Sequence, residues 1–583
     1  MDANHHLLNT WLIEIAVKIF GPCEFVIRLP NVFSFLLYAF FAIKIALKFE
    51  LNLFRWGALL ILLLNPFVND YFCLARGYGI SMALMLGSLF FVHMFIRENY
   101  AKKFAFLSLL FASIALLANF SLINYVLILL FIYVVFVLSN LKVHFKKPSE
   151  FYQFLLSLIV PIAILLFTTP IILKLKKVGA LFIGKNNGFW QDTMLSLIQR
   201  FLYQPKEMFW LNLSIKIGLL FILSIGIIVL INAIKNKAFN THMKFQIGLM
   251  LIFLFCVLAN IFQNKFMDVL YGIGRTAMYY YPLISLASIF IIYNLSKIKP
   301  TIAKFILAFM VLFFSLNFTY NLNTHYAIEW QAEGDAKLMV EDLRQFYLKE
   351  KNRTDEIIVG MTFPYHDDLT FYKEIHHLNW LNYVQDELAF NALNDFFFIE
   401  LKDTVNLKGT PFRVIVKYKA SNAALIENLQ TWKVKTAFSD SIDFNVNAEN
   451  VFSNAGLNGA RIDSFNCYSK AITFDVNDSI LKAPSKIYID GKIYGDLNND
   501  AAKIVLSFER NGQAYKWQAW PVNNFLHEKN KWNKFKISAH GSVNFKLGDV
   551  IKCYIWNTSL SPTYINNLSC KLNLFYPEKS IND

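Results

Sequence analysis

A long succession of apolar segments constrains the fold of this 583-residue chain more than any other feature of its sequence. From Leu29 to about Asn321 one apolar stretch follows another, whereas the chain beyond Asn323 has the mixed composition of a water-soluble protein. Charged residues make up only 17% of the chain, against about 25% in ordinary globular domains, and the deficit falls mainly in the first part. The sequence therefore predicts a membrane half and a soluble half, each large enough to be its own domain.

Ten segments are candidates for membrane-spanning helices, which need about 20 mostly apolar residues. Their approximate bounds are 29–48, 52–68, 79–96, 103–119, 122–139, 152–173, 213–234, 245–262, 277–295 and 303–321. We therefore predict a multi-span membrane domain over residues 29–322. Residues 1–28 are predicted to form an outer loop with an interfacial helix. The apolar positions that indicate this amphipathic helix are Trp11, Leu12, Ile15, Ile19 and Phe20.

The positive charges of the loops predict the orientation of the membrane domain. Alternate loops and flanks carry fifteen Lys and Arg residues in groups of three. These are Lys44, Lys48 and Arg55; Arg97, Lys102 and Lys103; Lys142, Lys146 and Lys147; Lys235, Lys237 and Lys244; Lys297, Lys299 and Lys304. We predict that this set is cytoplasmic. The N-terminal segment, the loops 69–78, 174–212 and 263–276, and the C-terminal half then face outward. Because topology accounts for much of the net charge of +15, no nucleic-acid partner is expected.

The soluble half divides by its pattern into two modules. Residues 323–428 combine amphipathic helical pieces with short apolar runs such as "EIIVGMT" and "FRVIVKY", which predicts a small α/β module. Residues 429–583 consist of short alternating runs separated by Asn, Asp and Gly, which predicts a jelly-roll-like β-sandwich.

Aromatic and cysteine residues of the sandwich raise two further hypotheses. Trp517, Trp520 and Trp556 could stack on sugar rings, but the alternative is that they fill the core, which we expect for at least two of them. Cys553 and Cys570 could form a disulfide if their segments are neighbouring strands.

Four stretches on the predicted outer side contain more polar residues than a loop requires. They are Asp2, Asn4, His5, His6 and Asn9; "NPFVNDYFCLARGYGIS" with Asp70, Tyr71, Arg76 and Tyr78; the long loop 174–212; and "FMDVLYGIGRTAMYYYPL" with Arg275. Arg76 and Arg275 suit a phosphate or pyrophosphate, because a guanidinium can hold such a group through two parallel hydrogen bonds.

Each of these residues also has a purely structural interpretation. A single arginine at a membrane edge commonly extends to the lipid headgroups, and tyrosines and tryptophans there commonly form an aromatic belt. Adjacent histidines are more often solvated or structural than catalytic. The location of all four stretches on one side favours the functional interpretation.

Several of these motifs resemble the multi-spanning GT-C glycosyltransferases. The narrower resemblance is to the bacterial dolichyl-phosphate-mannose-protein mannosyltransferase and aminoarabinose-transferase-like group. The matching residues are His6, Leu7 and Leu8; Gly21, Glu24, Arg28, Leu29 and Pro30; Asn65, Pro66, Ala75, Arg76 and Tyr78; and Gly274, Arg275, Thr276, Ala277, Pro282 and Leu283. The resemblance covers roughly residues 4–322, although the first element lacks the prolines that the family has there.

The resemblance implies that a sugar is moved, with inversion, from a polyprenyl-phosphate donor to an extracytoplasmic acceptor. The implied partners are that donor, the lipid bilayer, and a glycan, lipid or protein acceptor for hexosyl or pentosyl transfer. The implied location is the bacterial cytoplasmic membrane, with the C-terminal domains extracytoplasmic. A divalent metal is the one cofactor that it leaves open, and no metal ligands are assigned.

The resemblance also implies a catalytic carboxylate in the first outer loop, since an acceptor hydroxyl needs a base to take its proton. That loop's usual first span and acid pair are not in the sequence, so we expect "MDANHHLLN" to be the end of a loop whose beginning lies outside it. Either the chain as given is inactive, or Asp2 or Asp70 takes the catalytic role. Arg76 and Arg275 are the candidates for binding donor phosphate, and the candidates for binding substrate are Asn4, His5, His6, Asn9 and Tyr78.

Two other functions remain open at this point. A transporter or flippase for a lipid-linked saccharide would favour internal repeats and charges within the spans, which the sequence does not show. A non-catalytic scaffold for an envelope glycan complex is compatible with the missing first span.

Overall fold

The structure is a computed structural model in which the chain forms two compact units, Met1–Trp330 and Gln331–Asp583. The described residues are 6–139, 148–179, 184–203, 209–349, 356–362, 365–378, 380–384, 388–407, 409–444, 451–454, 457–496, 499, 501–526, 528, 531–541 and 544–578. The chain leaves the first unit after Trp330, later than the predicted boundary at 322. This difference matters because the segment after the last apolar helix carries two residues of the candidate site.

The first unit is helical throughout its described part. Its α-helices are α1 (Leu7–Phe20), α2 (Glu24–Ala46), α3 (Asn52–Leu63), α4 (Pro66–Asp70), α5 (Tyr78–Arg97), α6 (Lys102–Ala118), α7 (Ile123–Ser139), α8 (Pro148–Lys177), α9 (Leu195–Phe201), α10 (Phe209–Lys235), α11 (Thr241–Met267), α12 (Tyr280–Ser296) and α13 (Pro300–Asn321). Short 3₁₀ turns cover Phe120–Leu122, Gly274–Ala277 and Ile328–Glu333, and a π-helical turn covers Phe189–Met194. Each of the ten predicted spans overlaps one of these helices.

Seven helical segments in the described residues are long and apolar enough to cross a membrane. They are Glu24–Ala46, Tyr78–Arg97, Phe120–Leu138, Phe154–Lys177, Phe209–Lys235, Thr241–Met267 and Pro300–Asn321. Helices α3 and α12 are apolar but shorter. The predicted polytopic helical fold class is confirmed.

The predicted span 52–68 is divided by a proline. Helix α3 ends at Leu63, and α4 begins at Pro66, whose ring cannot continue a helix that already runs through the preceding turn. The side chain of Asn65 caps α4 by accepting a hydrogen bond from the backbone N–H of Val68 at 3.1 Å. The break separates α3 from the short helix α4, whose last residue is Asp70.

Helix α5 is the most buried of the seven segments. Of its most apolar window 78% is buried inside the protein, against 11% for α13 at the periphery. Small residues allow this close packing, as at Gly87, where a Cβ would stand 2.6 Å from the ring of Phe41. The residues that begin α5 are therefore held firmly by neighbouring helices.

Helix α1 has the exposure expected of an interfacial helix. Trp11, Ile15, Ile19 and Phe20 are all exposed, whereas Leu7, Asn9 and Ala16 are buried against the unit. The predicted helix is confirmed, and its contact with lipid remains a prediction.

The second unit begins with an α/β module. Its sheet has the strand order β2-β1-β3-β5-β4, in which β1 (Ile357–Met361) runs parallel to β2 (Leu381–Val384) and β3 (Phe396–Glu400). Strands β4 (Phe412–Lys417) and β5 (Ala423–Asn428) complete it in antiparallel pairing. Helices α14 (Ala336–Lys349) and α15 (His366–Ile375) contribute residues to its core.

The module is followed by two antiparallel sheets that form a β-sandwich. The larger sheet has the order β13-β10-β15-β8-β7, with β6 paired to β15, and the smaller has the order β12-β11-β14-β9. The strands are β6 (Trp432–Asp443), β7 (Val451–Asn454), β8 (Leu457–Ile462), β9 (Ile472–Asp475), β10 (Ser485–Tyr494), β11 (Lys503–Arg510), β12 (Gln513–Pro521), β13 (Asn533–His540), β14 (Val550–Trp556) and β15 (Thr563–Pro577), with a short helix α16 (Asp478–Leu481). The predicted α/β and sandwich fold classes are confirmed.

The two sandwich cysteines are thiols rather than a disulfide. Cys553 on β14 and Cys570 on β15 belong to different sheets, so the condition of neighbouring strands, on which the disulfide hypothesis depended, is not met. Both are fully buried, and their side chains are hydrogen-bonded to each other across the core. That hydrogen bond, together with burial, raises the pKa of the Cys553 thiol well above its usual value.

A thiol with a raised pKa is a poor nucleophile. We therefore expect N-ethylmaleimide to leave Cys553 and Cys570 unmodified in the native protein, while the exposed Cys23 reacts. After unfolding without reductant, both sandwich cysteines should become labelled, as measured by peptide mass spectrometry. Failure to label them in the unfolded chain would show that they form a disulfide.

Candidate functional site

The four polar stretches of the sequence meet at one end of the helical unit. The Asn9 amide donates to the Ala75 carbonyl at 3.1 Å, and the Thr193 hydroxyl donates to the Gly272 carbonyl at 2.8 Å. These contacts join the N-terminal segment to the second stretch, and the long loop to the fourth. At the opposite end, the described loops that hold Glu50 and Lys297 are joined by a 2.8 Å ion pair between these two residues. The described loops are therefore divided between the two ends as the pattern of loop charges predicts. Which end faces outward remains a prediction.

The carboxylate of Glu329 is the centre of this end. It lies in the Ile328–Glu333 turn with only 7% of its side chain exposed. Its Oε2 accepts hydrogen bonds from the Tyr71 hydroxyl at 2.8 Å and from Arg275 Nη1 at 3.0 Å. Its Oε1 accepts from the Arg275 backbone N–H at 3.2 Å and lies 3.3 Å from Nε of Arg200. Three loops that are distant in sequence are thereby tied to one carboxylate.

A glycine permits this approach of the carboxylate to the backbone. Gly274 has φ of +50°, and a Cβ at this position would stand 2.1 Å from Oε1 of Glu329. Any other residue would be strained in this conformation and would also clash with the carboxylate. In the "GIGR" sequence, Gly274 thus leaves space for the Glu329 carboxylate, which binds the next residue, Arg275.

The indole of Trp330 lies against two guanidinium groups. The Arg275 guanidinium carbon is 4.8 Å and the Arg76 guanidinium carbon is 5.5 Å from the centre of its ring. The Tyr71 ring packs edge-on against the same indole, with 5.8 Å between ring centres. Cation–π attraction of this kind fixes a guanidinium without consuming its hydrogen-bond donors.

Positive charge exceeds negative charge in this cluster. Arg200 and Arg275 pair with the single carboxylate of Glu329. Arg76 lies against Trp330 and has no ion-pair partner within the described part of the chain. Arg76 is half-buried, so its charge is only partly hydrated. The cluster can therefore accept an anion, and Arg76 has donors available for one. Below, "arginine cluster" means Arg76, Arg200, Arg275, Glu329 and Trp330.

Asp70 lies in the same region but bonds to different partners. The Tyr203 hydroxyl is within hydrogen-bond distance of both carboxylate oxygens, at 2.8 and 2.7 Å, and the Ile328 N–H donates to Oδ2 at 3.0 Å. Burial raises the pKa of Asp70 to about 7, although the hydrogen bonds from Tyr203 and Ile328 oppose the shift. Asp70 thus anchors the segment that carries the arginine cluster's carboxylate, and its catalytic role remains a prediction.

The other predicted substrate-binding residues support the turn before α5. The ring of His6 is within hydrogen-bond distance of the Ala118 carbonyl, with 2.8 Å from Nδ1 to the oxygen, and it packs 4.6 Å from the Tyr78 ring. Asn9 holds Ala75 through the hydrogen bond described above. These contacts position the turn that carries the second stretch's arginine. Asp2, Asn4 and His5 lie outside the described residues.

Some residues of this site escaped the sequence analysis. Glu329 and Trp330 fell within the predicted α/β module, and Arg200 was only one of many residues in a long loop. One usable signal was present: "HYAIEWQ" places an acid and a tryptophan directly after the last apolar segment.

The described carboxylates do not suit a divalent metal. Glu329 is bound by two arginines and a tyrosine, and Asp70 by a tyrosine and a backbone N–H. Among the described residues there is no group of three or more His, Cys, Asp or Glu side chains able to hold a metal ion. A metal bound with help from Asp2 stays a prediction.

An apolar cavity adjoins the helix that carries Arg200. It has a volume of about 550 Å³ and lies between α9, α10, α12 and α13. Leu197 and Phe201 of α9 line it, together with Ile215, Gly218 and Phe309, and the polar groups of its lining are a few serines. An anion-accepting cluster and an apolar cavity therefore share one short helix.

Taken together, the fold and this site define a polytopic helical protein with an arginine-rich polar site at one end of its helical unit. A scan of protein-family models and a search of curated proteins found no match. Among solved structures, ArnT from Cupriavidus metallidurans in the apo state is 11% identical, covers 72% of this chain and 86% of its own, and gives a TM-score of 0.30. The same protein bound to undecaprenyl phosphate is 12% identical, covers 73% and 88%, and gives 0.36.

ArnT is an aminoarabinose transferase of the GT-C class, the class that the sequence motifs resemble. TM-scores of 0.30 and 0.36 describe a loose likeness, so the case for a function comes from the chain's own residues.

The raised pKa of Asp70 predicts a pH dependence of stability. A carboxyl group with a pKa near 7 in the folded state and near 4 when unfolded stabilises the fold below about pH 4, and this contribution is lost as pH rises through 7. Asp70→Asn removes the titration but keeps an acceptor for Tyr203. We expect the melting temperature of the wild type to fall more between pH 5 and pH 8 than that of Asp70→Asn. Parallel melting profiles for the two proteins would contradict the burial of this carboxyl group.

Proposed function

We propose that the chain is a membrane glycosyltransferase that moves a sugar from a polyprenyl-phosphate donor to an extracytoplasmic acceptor. The observation that carries the proposal is the shared helix α9. Arg200 of that helix joins the arginine cluster, while Leu197 and Phe201 line the apolar cavity. A ligand that fills both has an anionic head and a long apolar tail, which is the chemistry of a polyprenyl phosphate.

The charges of the cluster suit the departure of a lipid phosphate. In an inverting transfer, the acceptor oxygen attacks the anomeric carbon while the bond from that carbon to the phosphate oxygen breaks. The electron pair of the broken bond stays on the phosphate, so negative charge grows there in the transition state. Guanidinium groups already fixed in position stabilise this charge without reorganising during the reaction. Arg275 is fixed by Glu329 and Trp330, and Arg76 by Trp330.

The proton of the acceptor hydroxyl must pass to a base. Asp70 is the described carboxylate nearest in sequence to Arg76, and a pKa of about 7 suits a group that takes a proton at neutral pH. Its carboxylate is occupied by Tyr203 and Ile328, which favours Asp2 for this step. Both residues therefore remain candidates for the base.

The donor-binding step can be tested directly. The full chain in nanodiscs should gain melting temperature when undecaprenyl phosphate is added, because a ligand that binds only the folded state stabilises it. Undecaprenol, which has the same tail without the phosphate, should produce a much smaller shift. Equal shifts of the melting temperature with the two lipids would show that the protein does not recognise the phosphate.

Arg76→Ala should weaken the response to undecaprenyl phosphate and lower any transfer rate by about a hundredfold, since one preorganised donor to a developing anion contributes that much. This variant breaks no described ion pair, so the fold should survive. Transfer is measured as release of radiolabelled sugar from polyprenyl-phosphate sugar in proteoliposomes.

The matched control for this variant is Arg97→Ala. Arg97 is an arginine at the opposite end of the same helix α5, with about half of its side chain exposed. The control should keep the wild-type response. A loss of the same size in both variants would point to a general effect of charge instead.

The apolar cavity gives an independent prediction. A Cβ at Gly218 has no atom within 4 Å, and this residue lines the cavity, so Gly218→Phe should place its ring there. We expect weaker binding of undecaprenyl phosphate, by about tenfold, and a smaller effect on a short-chain farnesyl phosphate. The comparison of the two apparent Kd values is the measurement.

Gly248→Phe is the control for that substitution. Gly248 is also a helix glycine with open space around its Cβ, but it does not line the cavity. Equal effects of the two substitutions, or equal effects on long and short lipids, would show that the cavity does not bind the lipid tail.

A transfer assay also distinguishes the alternatives. A flippase would move the lipid-linked sugar between leaflets without releasing it, and a scaffold would do neither. If the protein binds the lipid phosphate but transfers no sugar, the proposed phosphate site is supported and the proposed catalysis is wrong.

A further inference from the structure

Four aromatic side chains share the outer face of the smaller sandwich sheet. On β14 the residues alternate, so that Cys553 and Ile555 face the core while Tyr554 and Trp556 face away from it. Trp517 on β12 is paired to Ser507 of β11, and Tyr468 forms a bridge to Trp556, which places both on that same outer face. Below, "aromatic face" means Tyr468, Trp517, Tyr554 and Trp556.

Two rings of the aromatic face are exposed and the other two are partly buried. Tyr468 and Trp517 are 55% and 54% exposed. The Tyr468 and Trp556 rings are nearly parallel, with 9° between their planes and 6.5 Å between their centres. Carbon atoms in contact lie about 3.5 to 4 Å apart, so neither ring closely covers the face of the other. Trp517 stands edge-on to Trp556, with 6.4 Å between centres.

Only one of the three tryptophans considered in the sequence analysis packs on the core. Trp520 lies against the buried residues between the sheets. Trp517 and Trp556 are on the outer face, so the expectation that at least two of the three fill the core is wrong. The strand alternation explains the difference, because Trp520 and Trp517 are an odd number of positions apart on β12.

Hydrogen-bonding groups lie among these rings. Lys552 forms a 2.7 Å ion pair with Glu509, and the Ser507 hydroxyl donates to the same carboxylate at 3.4 Å. The ammonium of Lys503 stands 5.7 Å from the centre of the Trp556 ring. The face therefore offers an acceptor and several donors beside exposed aromatic surface.

We propose that the aromatic face binds the pyranose rings of a glycan. The C–H faces of a pyranose are apolar and suit the exposed ring of Tyr468 and the partly exposed ring of Trp556. Its hydroxyl groups can donate to Glu509 and accept from Lys552 and Lys503. The proposal concerns the second unit alone and does not rest on the proposed transferase activity.

The polar groups favour a glycan over a lipid bilayer as the occupant. Aromatic residues that insert into a bilayer do so beside apolar neighbours, whereas the Glu509 carboxylate, with 15% of its side chain exposed, lies among these rings. Moving an ion pair into lipid costs more than its attraction returns. A glycan, in contrast, can hydrogen-bond to both members of the pair.

The test uses the full chain in nanodiscs, because maltoside detergents carry a pyranose head group and would compete. We expect labelled protein to bind a subset of pyranose oligosaccharides on a printed glycan array. Trp556→Ala and Tyr468→Ala should each weaken the best interaction by about tenfold, as measured by titration with that oligosaccharide.

Tyr576→Ala is the matched control, since Tyr576 is an exposed aromatic residue on β15 of the other sheet. It should bind the oligosaccharide like the wild type. No binding on the array, or equal losses in all three variants, would overturn the proposal. The alternative is tested by brominated lipids in the nanodisc. If they quench a fluorescence component that Trp517→Phe removes, the face contacts the membrane and the proposal is wrong.

Discussion

The hydrogen bonds and ion pairs of the Glu329 carboxylate are the interactions on which the loops at this end of the helical unit depend. The carboxylate accepts hydrogen bonds from Tyr71 and from both the backbone and the side chain of Arg275, and it pairs with Arg200. A nearly buried carboxylate is costly unless it is compensated, and two cations and a tyrosine provide that compensation. Loss of either arginine would leave charge uncompensated in a poorly solvated place. These polar contacts therefore hold the loops together in addition to the apolar packing of residues such as Tyr71 and Ile328.

The same carboxylate explains how an arginine-rich site can exist before a ligand arrives. Three guanidinium groups close together would repel one another, and Glu329 together with the indole of Trp330 offsets part of that repulsion. The compensation is incomplete, because Arg76 touches the indole but no carboxylate among the described residues. The remaining charge supports the proposed binding of an anion, and the orientation of the guanidinium groups follows from the contacts that they already make.

The sequence was sufficient for the parts of the fold that depend on local pattern. Helices such as α10 and α11 follow from length and hydropathy, and the sandwich follows from its alternating runs. Asp70, Arg76 and Arg275 were candidates because each is a charged residue in a polar stretch on the predicted outer side. Glu329 could not be assigned in this way, since its partners lie 54 or more positions away in the chain and only tertiary packing brings them together. Trp517 and Trp520 could not be assigned to the core or the surface from the sequence for a related reason. A shift of one residue in the assumed strand register exchanges the core-facing and the outward-facing positions.

The cations of the arginine cluster differ in type from those of the loops at the opposite end of the helical unit. The loops predicted to be cytoplasmic carry mostly lysines, such as Lys244 and Lys297, whose task is only to place positive charge beside a membrane. The arginine cluster uses arginine at all three of its cationic positions. A lysine would satisfy the topology equally well, but it cannot lie flat on an indole and present parallel donors to an oxyanion at the same time. Arg275 lies 4.8 Å from the Trp330 ring centre while it bonds to Glu329 through Nη1, and so makes both kinds of contact. Arginine at these positions therefore fits the proposed recognition of an oxyanion, a task that membrane orientation does not require.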